Sequence, residues 1–221
     1  MAEDAKYMTE EEKKEKKDKK DKQYERLIAA RNFHYDNLNK WLITFYAIIG
    51  ALFLALWTLH ASATMHRYME LCVAIVGYVV SIGAILSIKG YYYWETNWIM
   101  LVHYFEKNNF KENGERVYSV FANKNANNCV CNPVAGTNVS TSKVALAITT
   151  FIAVLWGTFA LYFSANLLME TCEFKDVCPK SIVVPISMCI SCLMTMILLY
   201  KGAERFSSDL SGLDDLNIPL K

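Results

Sequence analysis

Few residues in this chain have the types and spacing that chemistry requires. Arg31 and His34, in the run Arg-Asn-Phe-His, offer a cation and an imidazole of the kind that ribonucleases use for acid–base work. Only two residues separate them, a shorter gap than the one in paired Arg/His motifs of ribonucleases. We therefore interpret the two side chains as a polar patch on a helix and predict no nuclease activity.

Two cysteine pairs suggest other chemistry. Cys129 and Cys131 are one residue apart, short of the C-x-x-C spacing that zinc prefers, and no second ligand pair stands nearby, so we predict no metal site. Cys172 and Cys178 would close a small disulfide loop if their turn faces an oxidising compartment. The alternative is two free thiols in a tight turn.

Motifs of the common enzyme classes are missing from the sequence. It contains no phosphate-binding P-loop, no G-x-S-x-G nucleophile elbow and no H-E-x-x-H zinc motif. We therefore expect a protein that is not an enzyme and that needs no cofactor.

The apolar residues are gathered into four blocks instead of being spread as a soluble core would need. The blocks are Trp41–His60, Leu71–Ile88, Val144–Leu168 and Ile182–Tyr200. None contains Asp, Glu, Lys or Arg, and about 20 such residues suffice for a helix to cross a bilayer. The sequence therefore predicts an all-α integral membrane protein with four transmembrane helices in two hairpins.

The positions of the basic residues predict the orientation. Of the 23 Lys and Arg residues, only Arg67, Lys175 and Lys180 lie in the two short turns Ala61–Glu70 and Met169–Ser181. Loops rich in Lys and Arg face the cytosol, so both termini are expected to be cytoplasmic in a multi-pass protein of the inner (plasma) membrane. The first span starts too late and is too long for a cleaved signal peptide, so we expect a permanent anchor.

The predicted organisation has five parts. They are a charged cytosolic arm (1–23), a cytosolic helix with transmembrane hairpin one and a helix extension (24–110), a cytosolic connection (111–143), transmembrane hairpin two (144–201) and a flexible cytosolic tail (202–221). The arm alternates acids and lysines, which favours a solvated helix supported by three i,i+4 ion pairs. These pairs are Glu12–Lys16, Glu15–Lys19 and Asp18–Lys22.

Spans one and two are each predicted to extend into the cytosol as a long helix. One face of the first extension carries Tyr24, Ile28, Arg31, Tyr35, Leu38 and Leu42, and one face of the second carries Trp94, Trp98, Leu101 and Phe105. Spacings of three and four put each set on one helix face, so we expect the two faces to lie against each other. Glu95 and Glu106 would then pair with Arg26, Arg31 or His34.

Small residues recur every four positions in the spans. The sets are Ala47, Ala51 and Ala55; Gly77 and Ser81; Gly83 and Ser87; Ala153 and Gly157; and Ser187, Ser191 and Thr195. Such spacing lets helix backbones approach closely in lipid, so it predicts helix packing and weakly indicates a homo-oligomer. No ionisable group lies at membrane depth, which argues against an ion-coupled transporter.

The first half of the chain resembles a known group of proteins. A charged arm, the run YERLIAARNFHYDNLNKW leading into span one, and the exit of span two through YYYWETNW are similar to small membrane proteins of prokaryotic antiviral systems. The nearest kinds are SLATT-like effectors and accessory membrane proteins of type VI-B CRISPR loci, over residues 24–106. The resemblance implies an oligomeric effector that permeabilises the inner membrane and arrests growth when a cytosolic protein or nucleotide signal triggers it.

The candidate coupling residues lie on the two cytosolic helices. They are Arg31, His34 and Tyr35 on the first and Trp94, Glu95 and Trp98 on the second. The predicted partners are the lipid bilayer, further copies of the chain and the trigger, with no specific nucleic-acid binding. One alternative is an anchor or scaffold for a cytosolic partner, which the lack of a clear polar stripe in the spans favours. Another is a ligand-gated channel or sensor with a pocket between residues 24–40 and 91–110.

Overall fold

Four long helices make up almost all of the chain that the structure describes. The structure is a computed structural model and describes residues 9–62, 67–110, 140–171 and 180–205. The helices are α1 (Glu10–Ala61), α2 (Arg67–Asn109), α3 (Thr141–Thr171) and α4 (Lys180–Arg205). Cys129, Cys131, Cys172 and Cys178 lie outside the described residues, so the disulfide and the absence of a zinc site stay predictions.

Each helix contains one of the predicted spans. All four are long and apolar enough to cross a membrane, and no strand occurs in the described ranges. The prediction of an all-α membrane protein with four spanning helices is confirmed. The physical reason is that a helix satisfies every backbone hydrogen bond within its own segment, as a lipid environment requires.

The described residues fall into two compact units. The helix-pair unit holds α1 up to Asn37 and the end of α2 from Tyr91. The four-helix unit holds α1 from Leu38, α2 up to Gly90, and the described parts of α3 and α4.

A capping box starts α1. The Thr9 amide donates a hydrogen bond to Glu12 Oε2 (2.8 Å), and the Glu12 amide donates to Thr9 Oγ1 (3.3 Å). This reciprocal pair satisfies amides that the first helical turn leaves without partners. Glu12 therefore serves as a cap and does not form the predicted pair with Lys16.

Only one of the three predicted ion pairs in the arm is formed. Lys19 Nζ lies 2.7 Å from Glu15 Oε1, and this hydrogen bond lowers the pKa of the Glu15 carboxyl. A second ion pair, with i,i+3 spacing, joins Lys13 to Glu10 (2.8 Å). The predicted pair of Asp18 with Lys22 is absent from this described helix, which is the usual outcome for exposed charges in high-dielectric surroundings.

Trp156 on α3 is the centre of the core of the four-helix unit. Its side chain is fully buried, and its ring centroid lies 4.3 Å from that of Phe53 and 6.1 Å from that of Phe159. Leu56 and Ala74 complete the buried cluster. Gly77 faces the indole so closely that an added Cβ would overlap its ring atoms, which explains why this position on α2 has no side chain.

Of the five sets of small residues, three are buried and the alanine set is exposed. The set of Gly83 and Ser87 is half-buried, and a Cβ added at Gly83 would meet no atom within 4 Å. Those at the sets beginning with Gly77, Ala153 and Ser187 are buried: Gly77, Ser81, Ala153, Gly157, Ser187, Ser191 and Thr195. Gly157 lies against Ser191, whose hydroxyl donates to the Val154 carbonyl of α3 (2.8 Å). Packing by small residues is therefore confirmed for α2, α3 and α4.

The alanine stripe on α1 is the exception. Ala47, Ala51 and Ala55 are all exposed on the surface of the four-helix unit, so the prediction that they pack helices together is wrong within one chain. Spacing alone identified a face of α1 but not the neighbour of that face. The buried face of this part of α1 carries the larger Leu38, Ile49 and Leu56 instead.

Tyrosine and threonine hydroxyls join the helices at two further points. Tyr78 Oη lies 3.1 Å from Thr195 Oγ1, which links α2 to α4. Tyr46 Oη lies 3.1 Å from Thr149 Oγ1. Because the Thr149 hydroxyl donates to the Ala145 carbonyl (2.8 Å), Tyr46 is the donor in that link between α1 and α3.

The Tyr78–Thr195 bond predicts a small effect on stability. Thr195→Val keeps the shape of the side chain and removes the hydroxyl, and Tyr78→Phe removes the other partner. Hydrogen bonds between membrane helices contribute about 0.6 kcal/mol on average, so each variant should lower the unfolding free energy by about that amount. Denaturation in mixed micelles measures it. The same hydrogen bond is lost in each single variant and in the double variant, so the double variant should have the same unfolding free energy as either single variant. A loss in the double variant equal to the sum of the two single losses would show that the two hydroxyls do not bond to each other.

Candidate functional site

The helix-pair unit brings together the faces that carry most of the predicted site residues. On α1, the positions Tyr24, Ile28, Arg31 and Tyr35 are less exposed than most of their neighbours, as predicted. On α2, the buried face runs through Trp98, Val102, Phe105 and Glu106. The buried face of α2 therefore differs in part from the predicted stripe. The stripe included Trp94, which is 37% exposed, and it left out Val102, which is fully buried.

Tyr24 and Glu106 form the best-defined polar contact between the two helices. The Tyr24 hydroxyl donates a hydrogen bond of 2.6 Å to Glu106 Oε1, and Glu106 is only 1% exposed. The Tyr24 ring stacks on Phe105 with centroids 5.9 Å apart and meets the edge of Phe110 at 5.2 Å. An O···O distance of 2.6 Å lies at the short end of the range for an O–H···O hydrogen bond.

The Tyr24–Glu106 contact was not predicted as a site from the sequence. Glu106 was expected opposite a cation such as Arg26 or Arg31, and the structure places the neutral donor Tyr24 against it. The available signal was a tyrosine on the α1 stripe together with a carboxylate next to Phe105 on the α2 stripe. Phenols and carboxylates pair in low-dielectric surroundings because the donor brings no second charge to desolvate.

His34 and Trp98, both predicted, stack on each other across the pair. Their ring centroids are 5.7 Å apart and their planes differ by 28°. Phe33 meets His34 edge-on at 5.8 Å on the exposed side. The indole Nε1 of Trp98 is buried without a hydrogen-bond partner among the described residues, so the aromatic faces hold this contact.

Arg31 and Tyr35 meet on one turn of α1. Arg31 Cζ lies 5.5 Å from the centroid of the Tyr35 ring, within range of a cation–π contact. Nη1 of Arg31 donates a hydrogen bond to Asn32 Oδ1 (3.0 Å). Both side chains are half-buried, so the guanidinium lies beside the helix interface rather than in open solvent.

The remaining two predicted residues are placed differently from each other. Trp94 lies at the exposed edge and meets Tyr93 of its own helix at 5.6 Å. Glu95 is half-buried on the α2 face that carries Trp98. The structure thus gathers Arg31, His34, Tyr35 and Trp98 around the interface and leaves Trp94 at its rim.

The contacts of the helix pair are hydrogen-bonding and aromatic. Among the described residues, no three His, Cys, Asp or Glu side chains come close enough to hold a metal ion. Contacts between the two helices include the buried Tyr24–Glu106 hydrogen bond and the ring contacts of Tyr24 with Phe105 and of His34 with Trp98, each of which contributes on the order of 1 kcal/mol.

Comparison with known proteins identifies the family. The model of the octameric membrane protein family (8xMP) matches residues 21–165, well over half of the chain. The chain belongs to this family. Among the curated proteins and the solved structures, none matches it.

The family match covers the elements that build the candidate site. It includes α1 from residue 21, all of α2 and most of α3. Membership makes the chain an oligomeric membrane protein, which confirms the prediction of oligomerisation at that level. The match does not refer to SLATT-like or CRISPR accessory proteins, so that resemblance stays a hypothesis.

Proposed function

We propose that eight copies of the chain assemble in the inner (plasma) membrane, with both termini cytoplasmic, as a non-enzymatic effector of antiviral defence. In this proposal a cytosolic protein or nucleotide signal acts on the helix pair, and the assembly then perturbs or permeabilises the bilayer and arrests growth. The family description supports the octamer. The defence role rests on the resemblance over residues 24–106.

The observation that carries the proposal is the continuity of the two paired helices with two spans. α1 runs as one helix from Glu10 to Ala61, and α2 from Arg67 to Asn109. The Tyr24–Glu106 and His34–Trp98 contacts fix the two helices against each other. A partner that separates or rotates the pair would therefore act on residues that belong to the same two helices as the spans.

A scaffold without a pore is the alternative, and one observation favours it. The buried polar side chains of the spans, among them Ser81, Ser191 and Thr195, face the inside of one chain. Exposed positions in the described spans carry large apolar residues such as Ile43 and Ile197. A wide aqueous pore between copies would need a polar face on its lining helices. The effector would thus act through a narrow or dewetted path or by disturbing lipid packing.

Membrane potential and dye entry separate the two functions. Cells expressing the protein alone should keep their potential, and cells that also express its genomic neighbours or are infected should depolarise. Native mass spectrometry of the purified protein should give eight copies of the 25.3 kDa chain. An unchanged potential under every condition, with the octamer intact, would favour the scaffold.

A further inference from the structure

A pocket opens on the surface of the four-helix unit between α1, α3 and the start of α4. Its volume is about 360 Å³. Its walls are almost entirely hydrocarbon and aromatic, formed by Phe53, Leu56, Trp57, His60, Thr158, Phe159, Tyr162, Phe163 and Val184. Packed protein leaves few voids larger than one water, whose share of liquid volume is about 30 Å³, so this pocket is far larger than a packing defect.

The aromatic rings of the pocket contact one another. Phe159 meets Phe53 edge-on at 6.4 Å and stacks on Phe163 at 6.3 Å, and Tyr162 meets Phe163 at 5.7 Å. Behind these rings lies the buried Trp156, which contacts both Phe53 and Phe159. These ring contacts form a continuous aromatic wall along the pocket.

The position of the pocket determines what reaches it. Phe53 and Leu56 belong to the apolar part of α1, and Thr158 to Phe163 belong to that of α3, both of which are long and apolar enough to cross the membrane. In a single copy of the chain within a bilayer, the side of such a pocket that protein does not cover would face acyl chains. Water would find few partners on these walls, and a buried water needs about two to four.

We propose that this pocket binds one acyl chain of a membrane phospholipid. The hydrocarbon tail lies along Phe53, Leu56 and Phe159, and its polar end points toward the rim formed by His60. His60 is in the last turn of α1, and its Nδ1 lies 3.1 Å from Glu70 Oε1, so the rim is polar where the rest of the pocket is not. This inference is independent of the proposed effector function.

Two observations support a phospholipid over a free polar ligand. Few polar groups line the pocket: the side chains of His60, Thr158 and Tyr162 and the indole N–H of Trp57, and the Thr158 hydroxyl already donates to the Val154 carbonyl (2.7 Å). A polar ligand would lose its hydration against these walls without regaining hydrogen bonds. A hydrocarbon chain that enters from the bilayer has no hydration to lose, and contact with the rings offsets the cost of ordering it.

The test uses the full chain in nanodiscs of phosphatidylethanolamine and phosphatidylglycerol that contain a trace of phosphatidylcholine with a diazirine in the middle of one acyl chain. After illumination, peptide mass spectrometry maps the adducts. We expect them to concentrate on Phe53, Phe159 and Tyr162. Val184→Trp places a large ring in the pocket and should lower adduct formation there about tenfold.

Val79→Trp is the matched control, because Val79 is exposed on α2 and does not line the pocket. It should leave the adduct pattern unchanged. Adducts spread evenly over all exposed apolar positions in the wild-type protein would overturn the proposal, since that pattern means bulk lipid contact only. Cross-links from the pocket to a second copy of the chain would also overturn it. The wild-type map decides the matter even if Val184→Trp does not fold.

Discussion

Gly77→Ala should clearly destabilise the four-helix unit, although it adds a single methyl group. The added Cβ would overlap ring atoms of Trp156, which is fully buried and fixed between Phe53 and Phe159. The indole therefore has no space into which to move. Overpacking of this kind costs about 1–3 kcal/mol, more than the helix propensity that alanine gains. The measurement is the unfolding free energy in mixed micelles, together with the yield of monodisperse protein.

Gly83→Ala on the same helix is the control for this prediction. A Cβ at Gly83 meets no atom within 4 Å, so the variant should be as stable as the wild type or gain up to about 1 kcal/mol. If both variants have equal stability, Trp156 is not held against Gly77. The packing described for the centre of this unit would then be wrong.

Tyr24→Phe should loosen the helix-pair unit without disturbing its aromatic packing. The variant keeps the ring that contacts Phe105 and Phe110 and removes only the hydroxyl that donates to Glu106. When the donor is removed, a buried acceptor loses a hydrogen bond, and this lowers the stability of the unit by about 1–3 kcal/mol. Amide hydrogens near residues 24 and 106 should therefore exchange about ten- to a hundredfold faster, as hydrogen-exchange mass spectrometry measures.

Tyr104→Phe is the control for the loss of a phenol hydroxyl. Tyr104 lies two residues from Glu106 on α2, and its side chain is exposed. Its removal should leave exchange in the pair unchanged. Equal exchange rates in wild type, Tyr24→Phe and Tyr104→Phe would mean that the Tyr24–Glu106 bond does not hold the two helices together.

The architecture of the spans was predictable because it depends on composition over long segments. Each apolar block is about as long as a bilayer is thick, and lipid admits few structures other than a helix for such a segment. The α1 stripe from Tyr24 to Tyr35 was predictable for a similar reason, since its spacing repeats over several turns. Local periodicity shows which residues share a face.

Periodicity does not show which face meets which neighbour, and there the predictions were incomplete. Ala47, Ala51 and Ala55 have the spacing of a packing face but are exposed. Gly77 belongs to a set with the same four-residue spacing, and it lies against an indole on α3. The residue that closes this contact, Trp156, is 79 positions away in sequence. Neither the Trp156 core nor the Tyr24–Glu106 bond is encoded within one turn of one helix, so both required the structure.

The central claim is that the helix pair transmits a cytosolic signal to the membrane spans. Its most direct test is the membrane potential of cells that carry the genomic neighbours or are infected, with the wild-type protein compared to Arg31→Ala combined with His34→Ala. Both side chains belong to the helix pair, where His34 stacks on Trp98 and Arg31 covers Tyr35. We predict that the double variant inserts and assembles as the wild type does but no longer depolarises the cells. Depolarisation equal to that of the wild type would contradict the claim.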